Sequence, residues 1–500
     1  MTSKEKKPGK EGAARPAAKR INVLFAIFEA LPFMKTGGLG DVGGSLPQAL
    51  KKAGVNLRLI MPKFDTIAEE YKSQMTHVTD FNVSLGWRNQ YCGIDKLVHK
   101  GVTSYFIDNE YYFHRGTPYG FFDDGERIAF FSKAVVEAIK HLPRFRCHVL
   151  HCNDWHTALA PVFLRELYRG DKAWDTVKTM MTVHNLKFQG QYSDFMLGDV
   201  LGLSGIKAAE DQLREPGGSI NYLRGGLSYS DAITVVSPTY AEEIKTSFYG
   251  EGLEDVLCRR EDVVTGVLNG IDLGYYNPEK EKALKYHFSA GNMAGKAKCK
   301  AQIQKELGLL QDPEKPLIAV VGRLTAQKGC DLIERVFGEI MELGVQFVVL
   351  GTGDSGYEDM FREKAWEYQQ GFKALLRFDE ALSHRIYAGA DMLLMPSVFE
   401  PCGLSQMIAM TYGTLPIVRE TGGLKDTVKP YNRFTGEGTG FSFANINAHE
   451  MLFTIKDAVK LYREDKATWQ QLMHQAMSQD FGWEKAALKY REIYESLVGR

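Results

Sequence analysis

From Ile21 onward, short apolar runs rich in Val, Ile and Phe alternate with longer amphipathic stretches, the pattern of a parallel sheet covered by helices. In the first half the runs are INVLFAIF, VNLRLIMP, VTSYFID, HVLHCND, KTMMTVHN and AITVVS; in the second they are PLIAVVG, QFVVLGTG, ADMLLMPS and TLPIVRE. Several end in Gly, Asp, Asn or Ser, residues that open a loop or cap the next helix. Each half therefore predicts a doubly wound α/β domain. Turn residues and charges replace the apolar rhythm in GVLNGIDLGYYNPEKEK, residues 266–282, which marks the break between the halves. Beyond it AGKAKCKAQIQKELGLL reads as a helix. Near the end, WEKAALKYREIYESLV brings Trp483, Ala487, Tyr490, Ile493 and Tyr494 to one helical face, and such a stripe needs a surface to cover.

A length of 500 residues fits two large domains better than one core. Lysine and arginine together number 61 against 62 aspartates and glutamates, so no global field exists to hold a nucleic acid or an anionic membrane. An anionic ligand must be held by local charge. The hydrophobic fraction of 44% and aromatic fraction of 11% are those of a soluble protein, and no apolar run reaches the length of a membrane span. The seven cysteines are scattered, odd in number and without a CxxC, which fits a reducing, cytoplasmic setting. CHVLHC has the residue types of a zinc site, but strand alternation puts Cys147 and His151 on one face and His148 and Cys152 on the other; no metal is expected. Residues 1–20 are basic, carry two Glu and lack any bulky apolar residue, so they read as a disordered tail rather than a secretory or transit signal.

Two segments repeat a theme: KTGGLGDVGG at 35–44 and ETGGLKDTV at 420–428. In open α/β sheets ligands bind beyond the carboxyl ends of the strands, so one such loop per domain would place glycine amides on both walls of a cleft. GLGDVG, Gly38 to Gly43, also satisfies a dinucleotide-binding GxGxxG. That motif should follow the first strand at once and be answered by an acid closing the second. Here Gly38 comes ten residues after Phe28 and the second run ends RLIMPK, so the dinucleotide reading fails.

Four constellations carry chemistry. Lys35 stands beside the amides of Gly37 and Gly38, a cation and donors for one oxyanion. GRLTAQKG follows a strand and presents Arg323 and Lys328, which a turn brings toward one diphosphate. Asp154, His156, His184 and Asn185 close two first-half strands. FEPCGLSQM sets Glu400 before a proline and a helix, either to accept from a ligand hydroxyl or to cap that helix, with Gly403 freeing nearby amides. No GxxxxGK[ST], GxSxG or HExxH occurs. Acids and His suit a polyol while Lys and Arg suit phosphate, and a nucleotide sugar is both.

The set KTGGLGDV, NDWHTAL, TVHNLKFQG, VVSPTYAEEI, GVLNGID, GRLTAQKG, SHRIYAGADMLLMPSVFEPCGLSQM and YGTLPIVRETGGLKDTV resembles the bacterial glycogen synthases and plant starch synthases. The resemblance implies two Rossmann-like domains facing across a deep cleft (GT-B type), one over 21–270 on the acceptor side and one over 271–478 for the nucleotide sugar, with a helix over 479–500 returning to the first. It implies a retaining transferase that moves glucose from ADP-glucose to the non-reducing end of an α-1,4-glucan, without metal or other cofactor. By similarity, Lys35, Arg323 and Lys328 hold the donor phosphates, Glu400 contacts the donor glucose, and Cys402, Gly403 and Leu404 offer backbone amides. His184 falls where the family histidine meets the glucose. Asp41, Asp154, Asn269, Thr421, Gly422 and Gly423 match further binding positions, and Phe378 falls where an aromatic lies against the adenine. The sequence departs at Ile408, near which relatives carry Tyr or a second acid, so a second carboxylate nucleophile is not expected there. Two other readings remain: a related transferase using UDP-glucose or making another linkage, and a non-catalytic two-domain glucan-binding protein.

Overall fold

The computed structural model describes residues 20–499; the reading of a disordered tail falls almost wholly outside them. The first half builds β1 (Asn22–Ala26), β2 (Asn56–Pro62), β3 (Thr76–Leu85), β4 (Arg88–His99), β5 (Val102–Asp108), β6 (Val149–Asn153) and β7 (Lys178–Val183). A small ribbon of β8 (Gln191–Ser193) and β9 (Ser219–Asn221) follows, then β10 (Ala232–Val235) and β11 (Val264–Gly266). Apart from the ribbon these form one sheet in the order β11-β10-β7-β6-β1-β2-β5-β4-β3. β1 sits at its centre, buried on both faces from Val23 onward, which is why VLFA is continuously apolar after the half-buried Asn22. The second half forms a wholly parallel sheet of β12 (Leu317–Val321), β13 (Gln346–Leu350), β14 (Phe372–Leu375), β15 (Met392–Met395), β16 (Leu415–Arg419) and β17 (Phe441–Phe443), in the order β14-β13-β12-β15-β16-β17.

The two Rossmann-like domains agree with the sequence pattern, but the first sheet is not purely parallel. β4 pairs antiparallel with both β3 and β5. This hairpin escapes a search for apolar runs because β3, THVTDFNVSL, is an edge strand in which only Val83 and Leu85 are buried and the rest are half-buried or exposed. β14 and β17, at the edges of the second sheet, are only four and three residues long.

Two apolar cores result, one per sheet. Trp483, Ala487, Tyr490 and Tyr494 belong to the first core although they lie at the far end of the chain. The helix Glu484–Leu497 packs against Gly38–Lys52. Tyr494 shares a 2.6 Å hydrogen bond with His151 Nδ1, and Arg491 donates to the Ala53 carbonyl at 3.1 Å. The chain thus crosses between domains twice, and the crossings touch: Ile271 N–H donates to the Phe481 carbonyl at 2.8 Å, and a Cβ on Gly270 would stand 2.8 Å from the Gly482 carbonyl.

A second contact fixes how the domains meet. Helix Pro238–Glu243 of the first lies against helix Gly422–Thr427 of the second. Glu243 accepts from the Gly422 N–H at 3.1 Å and the Thr421 hydroxyl at 2.9 Å, while Asp426 accepts from the Thr239 N–H at 3.0 Å and its hydroxyl at 2.6 Å. Each helix ends in a carboxylate that satisfies orphan donors at the start of the other.

Candidate active site

The loop after β1 is held from inside by Glu29, which accepts from the Thr36 backbone and hydroxyl and from the Tyr119 hydroxyl. Helix Gly38–Lys52 then starts hard against this loop. A Cβ on Gly43 would lie 2.5 Å from the Glu29 carbonyl and one on Gly40 only 2.9 Å from Lys35 Cβ. Gly40 and Gly43, two glycines of the GxGxxG pattern, therefore let a helix pack on its own entry loop. Gly37 and Gly38 are exposed. A Cβ on Gly38 would come 3.7 Å from Leu404 Cδ1 of the second domain, so this loop faces the CGL segment.

Lys35 bridges the domains. Its Nζ lies 2.8 Å from Asp41 in its own domain and 3.6 Å from Glu380 in the other. Burial raises the Asp41 carboxyl, opposed by the Lys35 charge.

At the ends of β6 and β7 the backbone of Asp154 takes φ +57°, a conformation that costs a β-carbon residue energy. Its carboxylate accepts from the His184 N–H at 2.6 Å and from the Asn185 N–H. Burial nonetheless pushes Asp154 up to about 7, against the pull of those amides. Asn153 donates its side-chain N–H to the Ala26 carbonyl at 3.0 Å, which turns its oxygen toward His184 Nε2, 3.0 Å away. Nε2 must then carry the proton, and Nδ1 keeps a lone pair. Burial holds His184 at about 3, so the ring is neutral. His156, stacked on Phe28 at 4.8 Å, is also lowered to about 3.

In the second domain β12 runs into Gly322, exposed Arg323 and a short turn, Ala326–Lys328, closed by Gly329 at φ +72°. A Cβ on Gly329 would lie 2.2 Å from the Pro396 carbonyl, so glycine lets the turn dock beside the strand that leads to Glu400. Lys328 is ion-paired with Glu400, which also accepts from the Ser397 hydroxyl at 3.1 Å. Glu400 does not cap a helix, since the next one begins at Ser405. Gly403, at φ +72°, makes the turn, and the Gln406 amide ties down the carbonyls of Cys402 and Gly403 at 3.1 and 3.0 Å. The buried Cys402 thiol accepts from the Asn269 N–H, and burial pushes it up to about 12. The Asn269 side-chain oxygen is buried with no partner among the described residues.

The two TGGL loops differ. The Gly422 amide is taken by Glu243, and the Gly423 amide donates to the Glu400 carbonyl at 3.1 Å. Gly422 and Gly423 are buried, with Cβ positions that would lie 2.0 Å from the carbonyls of Glu400 and Cys402. In this structure Thr421, Gly422 and Gly423 therefore support the Glu400 segment and the domain interface, correcting the expectation of free amides on both walls. Arg323 and Phe378 stand exposed, Phe378 by 80%, and Arg323 makes no ion pair among the described residues. Sequence reasoning missed Glu29, Glu243 and Glu380. Glu29 was findable, as the first polar residue after the run INVLFAIF. Glu243 and Glu380 sit in ordinary polar helix turns and carry no local signal.

His151 lies elsewhere: its ring nitrogens are occupied by Tyr494 and by Thr182, each at 2.6 Å, which leaves neither for a metal.

Comparison with known proteins follows the same division. A family model described as the starch synthase catalytic domain matches residues 22–259, and one described as glycosyl transferases group 1 matches residues 303–471. Two Rossmann-like domains whose strand-end loops face each other in this way define a glycosyltransferase of the GT-B class. The chain is 49% identical over 478 residues to a glycogen synthase of Bacillus cereus, covering 96% of this chain and 100% of that one. It is 47% identical over 477 residues to a glycogen synthase of Desulfitobacterium hafniense, covering 95% and 99%. The solved catalytic domain of starch synthase IV from Arabidopsis thaliana, bound to ADP and acarbose, superposes with a TM-score of 0.89 at 33% identity over 96% of this chain and 100% of that one. A sucrose-phosphate synthase from Thermosynechococcus elongatus, at 17% identity and a TM-score of 0.59 over 96% and 100%, shares the fold. The chain belongs to the glycogen synthase and starch synthase family. Among the described residues no helix is long and apolar enough to cross a membrane.

Proposed function

We propose that the protein transfers glucose from ADP-glucose to the non-reducing end of an α-1,4-glucan with retention of configuration, using no cofactor. The observation that carries this reading is the meeting of the Lys35 loop, with its exposed glycine amides, and the CGL segment beside the Lys328–Glu400 pair. A ligand there meets cations and amide donors suited to phosphate and a carboxylate suited to sugar hydroxyls. ADP and acarbose, bound to the Arabidopsis relative, have those two chemistries.

In this reading Lys35, Arg323 and Lys328 meet the charge that grows on the departing diphosphate. They are matched to the transition state more than to the ground state. Glu400 accepts from glucose hydroxyls, and the His184 Nδ1 lone pair accepts from another. Asp154 orders the His184 loop by holding its amides. The bond from C1 to the phosphate oxygen breaks, the acceptor O4 bonds to C1 on the same face, and the leaving phosphate oxygen takes the O4 proton. All seven cysteines are free, which suits a cytoplasmic enzyme.

The test is the initial rate of transfer to glycogen from ADP-glucose and from UDP-glucose, for the wild type and Lys328→Ala. The reading expects a strong ADP-glucose preference and a loss of about 100- to 1000-fold in the variant. Preference for UDP-glucose would move the chain to the related transferase reading. No transfer from either donor would return it to a glucan-binding protein.

A further inference from the structure

We infer that Gln406 is a positioning residue for the diphosphate of the donor: it turns two peptide planes so that the N–H groups of Gly403 and Leu404 point together into the cleft. The inference rests on the reading of the chain as acting on a nucleoside diphosphate sugar. Gln406 lies fully buried in the helix Ser405–Thr411, beneath the turn that follows Glu400, whereas Gly403 and Leu404 are half-buried.

The side-chain N–H bonds of Gln406 are shared among three acceptors: the Cys402 carbonyl at 3.1 Å, the Gly403 carbonyl at 3.0 Å and the Thr427 hydroxyl at 3.0 Å. The amide has one workable orientation. Turned over, its Oε1 would face two carbonyl oxygens that offer no proton, and the Thr427 hydroxyl already donates to the Gly423 carbonyl at 2.5 Å. Oε1 is therefore left buried and without a partner among the described residues. An unpaired buried oxygen lowers stability, and methionine would fill the same space without one. What glutamine alone supplies here is the pair of donors.

In a trans peptide the carbonyl and the N–H point in opposite directions. With the carbonyls of Cys402 and Gly403 drawn down to Gln406, the N–H groups of Gly403 and Leu404 are directed away from it, and neither donates to an acceptor among the described residues. Gly403 has φ +72°, and Leu404 has φ −112° and ψ −33°. A left-handed residue followed by a right-handed one makes successive N–H groups converge on a single anion. Glycine is needed at 403 for that φ and for room, since a Cβ would stand 2.5 Å from Gln406 Oε1.

The turn also faces the right partners. Leu404 Cδ1 lies 3.7 Å from the position of a Cβ on Gly38, in the loop that carries Lys35, and Glu400 of the same segment is paired with Lys328. Through Thr427, Gln406 joins this turn to the helix Gly422–Thr427, whose Gly423 amide holds the Glu400 carbonyl at 3.1 Å. The second TGGL segment thus braces the turn from behind. Donors set in advance stabilise charge growing on a leaving diphosphate without having to reorient.

The experiment compares the wild type with Gln406→Met, which removes the donors, and Gln406→Glu, which sets a second acceptor against the two carbonyls. Inhibition constants are measured for ADP and for adenosine, together with transfer rates from ADP-glucose. Both variants should bind ADP tenfold or more weakly and adenosine as the wild type does, with kcat down about 100-fold and the KM for glycogen unchanged. A protein merely loosened would lose ADP and adenosine alike, so an unchanged ratio of the two constants in a folded variant overturns the inference. Should neither variant fold, hydrogen exchange of the wild type decides. Amides in the segment 402–405 should be slowed by ADP and not by adenosine, and no slowing by ADP overturns the inference. A wild type that prefers UDP-glucose fails the ADP-glucose reading separately, because the same ratio taken with UDP and uridine still tests Gln406. A wild type that binds neither diphosphate overturns both.

Discussion

Acid should unfold the first domain through protons that its interior refuses. Burial holds His151, His156 and His184 at about 3, whereas an unfolded histidine titrates near 6.5. Between those values the unfolded chain binds one more proton at each, so this contribution to stability is complete above pH 6.5 and is lost as pH falls toward 3. Asp154 has the opposite sign. Its folded value of about 7 lies above the ordinary 3.8, so its cost is absent near pH 4 and grows as pH rises to 7. At pH 5 the balance is three protons against one, a net uptake of two on unfolding. That corresponds to about 2.7 kcal/mol lost per pH unit, large against a total stability of about 5–15 kcal/mol. His99, lowered by burial and by Lys100, adds the same sign; His77, raised at the surface by its bond to Asp95, opposes it weakly. Urea unfolding at pH 7, 6 and 5 reads the slope. His156→Phe supplies the control, because His156 stacks on Phe28 and its buried Nδ1 has no partner among the described residues. The variant should flatten the slope by one proton, about 1.4 kcal/mol per unit. A midpoint that does not move between pH 7 and 5, or a slope unchanged in the variant, would refute the reasoning.

Glu243→Ala leaves the Gly422 amide and the Thr421 hydroxyl without their acceptor. It should cost roughly 1–3 kcal/mol in urea unfolding and raise the radius of gyration in X-ray scattering; an unchanged radius would mean that Glu243 does not set the domain angle. Gly43→Ala should destabilise the protein and slow glucosyl transfer even though alanine ordinarily favours a helix interior by about 1 kcal/mol, because the added Cβ would lie 2.5 Å from the Glu29 carbonyl that shapes the Lys35 loop. A stabilised, fully active variant would show that the loop yields.

The central strands were legible because burial on both faces leaves an uninterrupted apolar signature, as in VLFA of β1 and FVVL of β13. The hairpin of β3 and β4 was not, since an edge strand with one wet side reads as polar turn sequence. The terminal helix announced its need for a partner through Trp483, Tyr490 and Tyr494, yet the His151 and Thr182 atoms beneath Tyr494 lie hundreds of residues away. In the site, residue types at strand ends pointed to Lys35, Lys328, Glu400 and His184. What no local pattern carries is how charges are paired across domains. The Lys35–Glu380 contact and the Glu243 bond to the second TGGL loop depend on the angle at which two folded bodies meet.

The return of the last helix gives the protein an order of manufacture. The final strand of the first sheet ends at Gly266, but the helix that completes its core begins only at Glu484, after the whole second domain. At about 5–20 residues per second the ribosome needs roughly 10–40 s to cover that distance. During this interval the second domain emerges and can close on its own core, while the first waits with His151 and its apolar surroundings uncovered. The older half of the chain is thus the later to be finished, and a stall in translation beyond Gly266 would leave it exposed to aggregation for as long as the stall lasts.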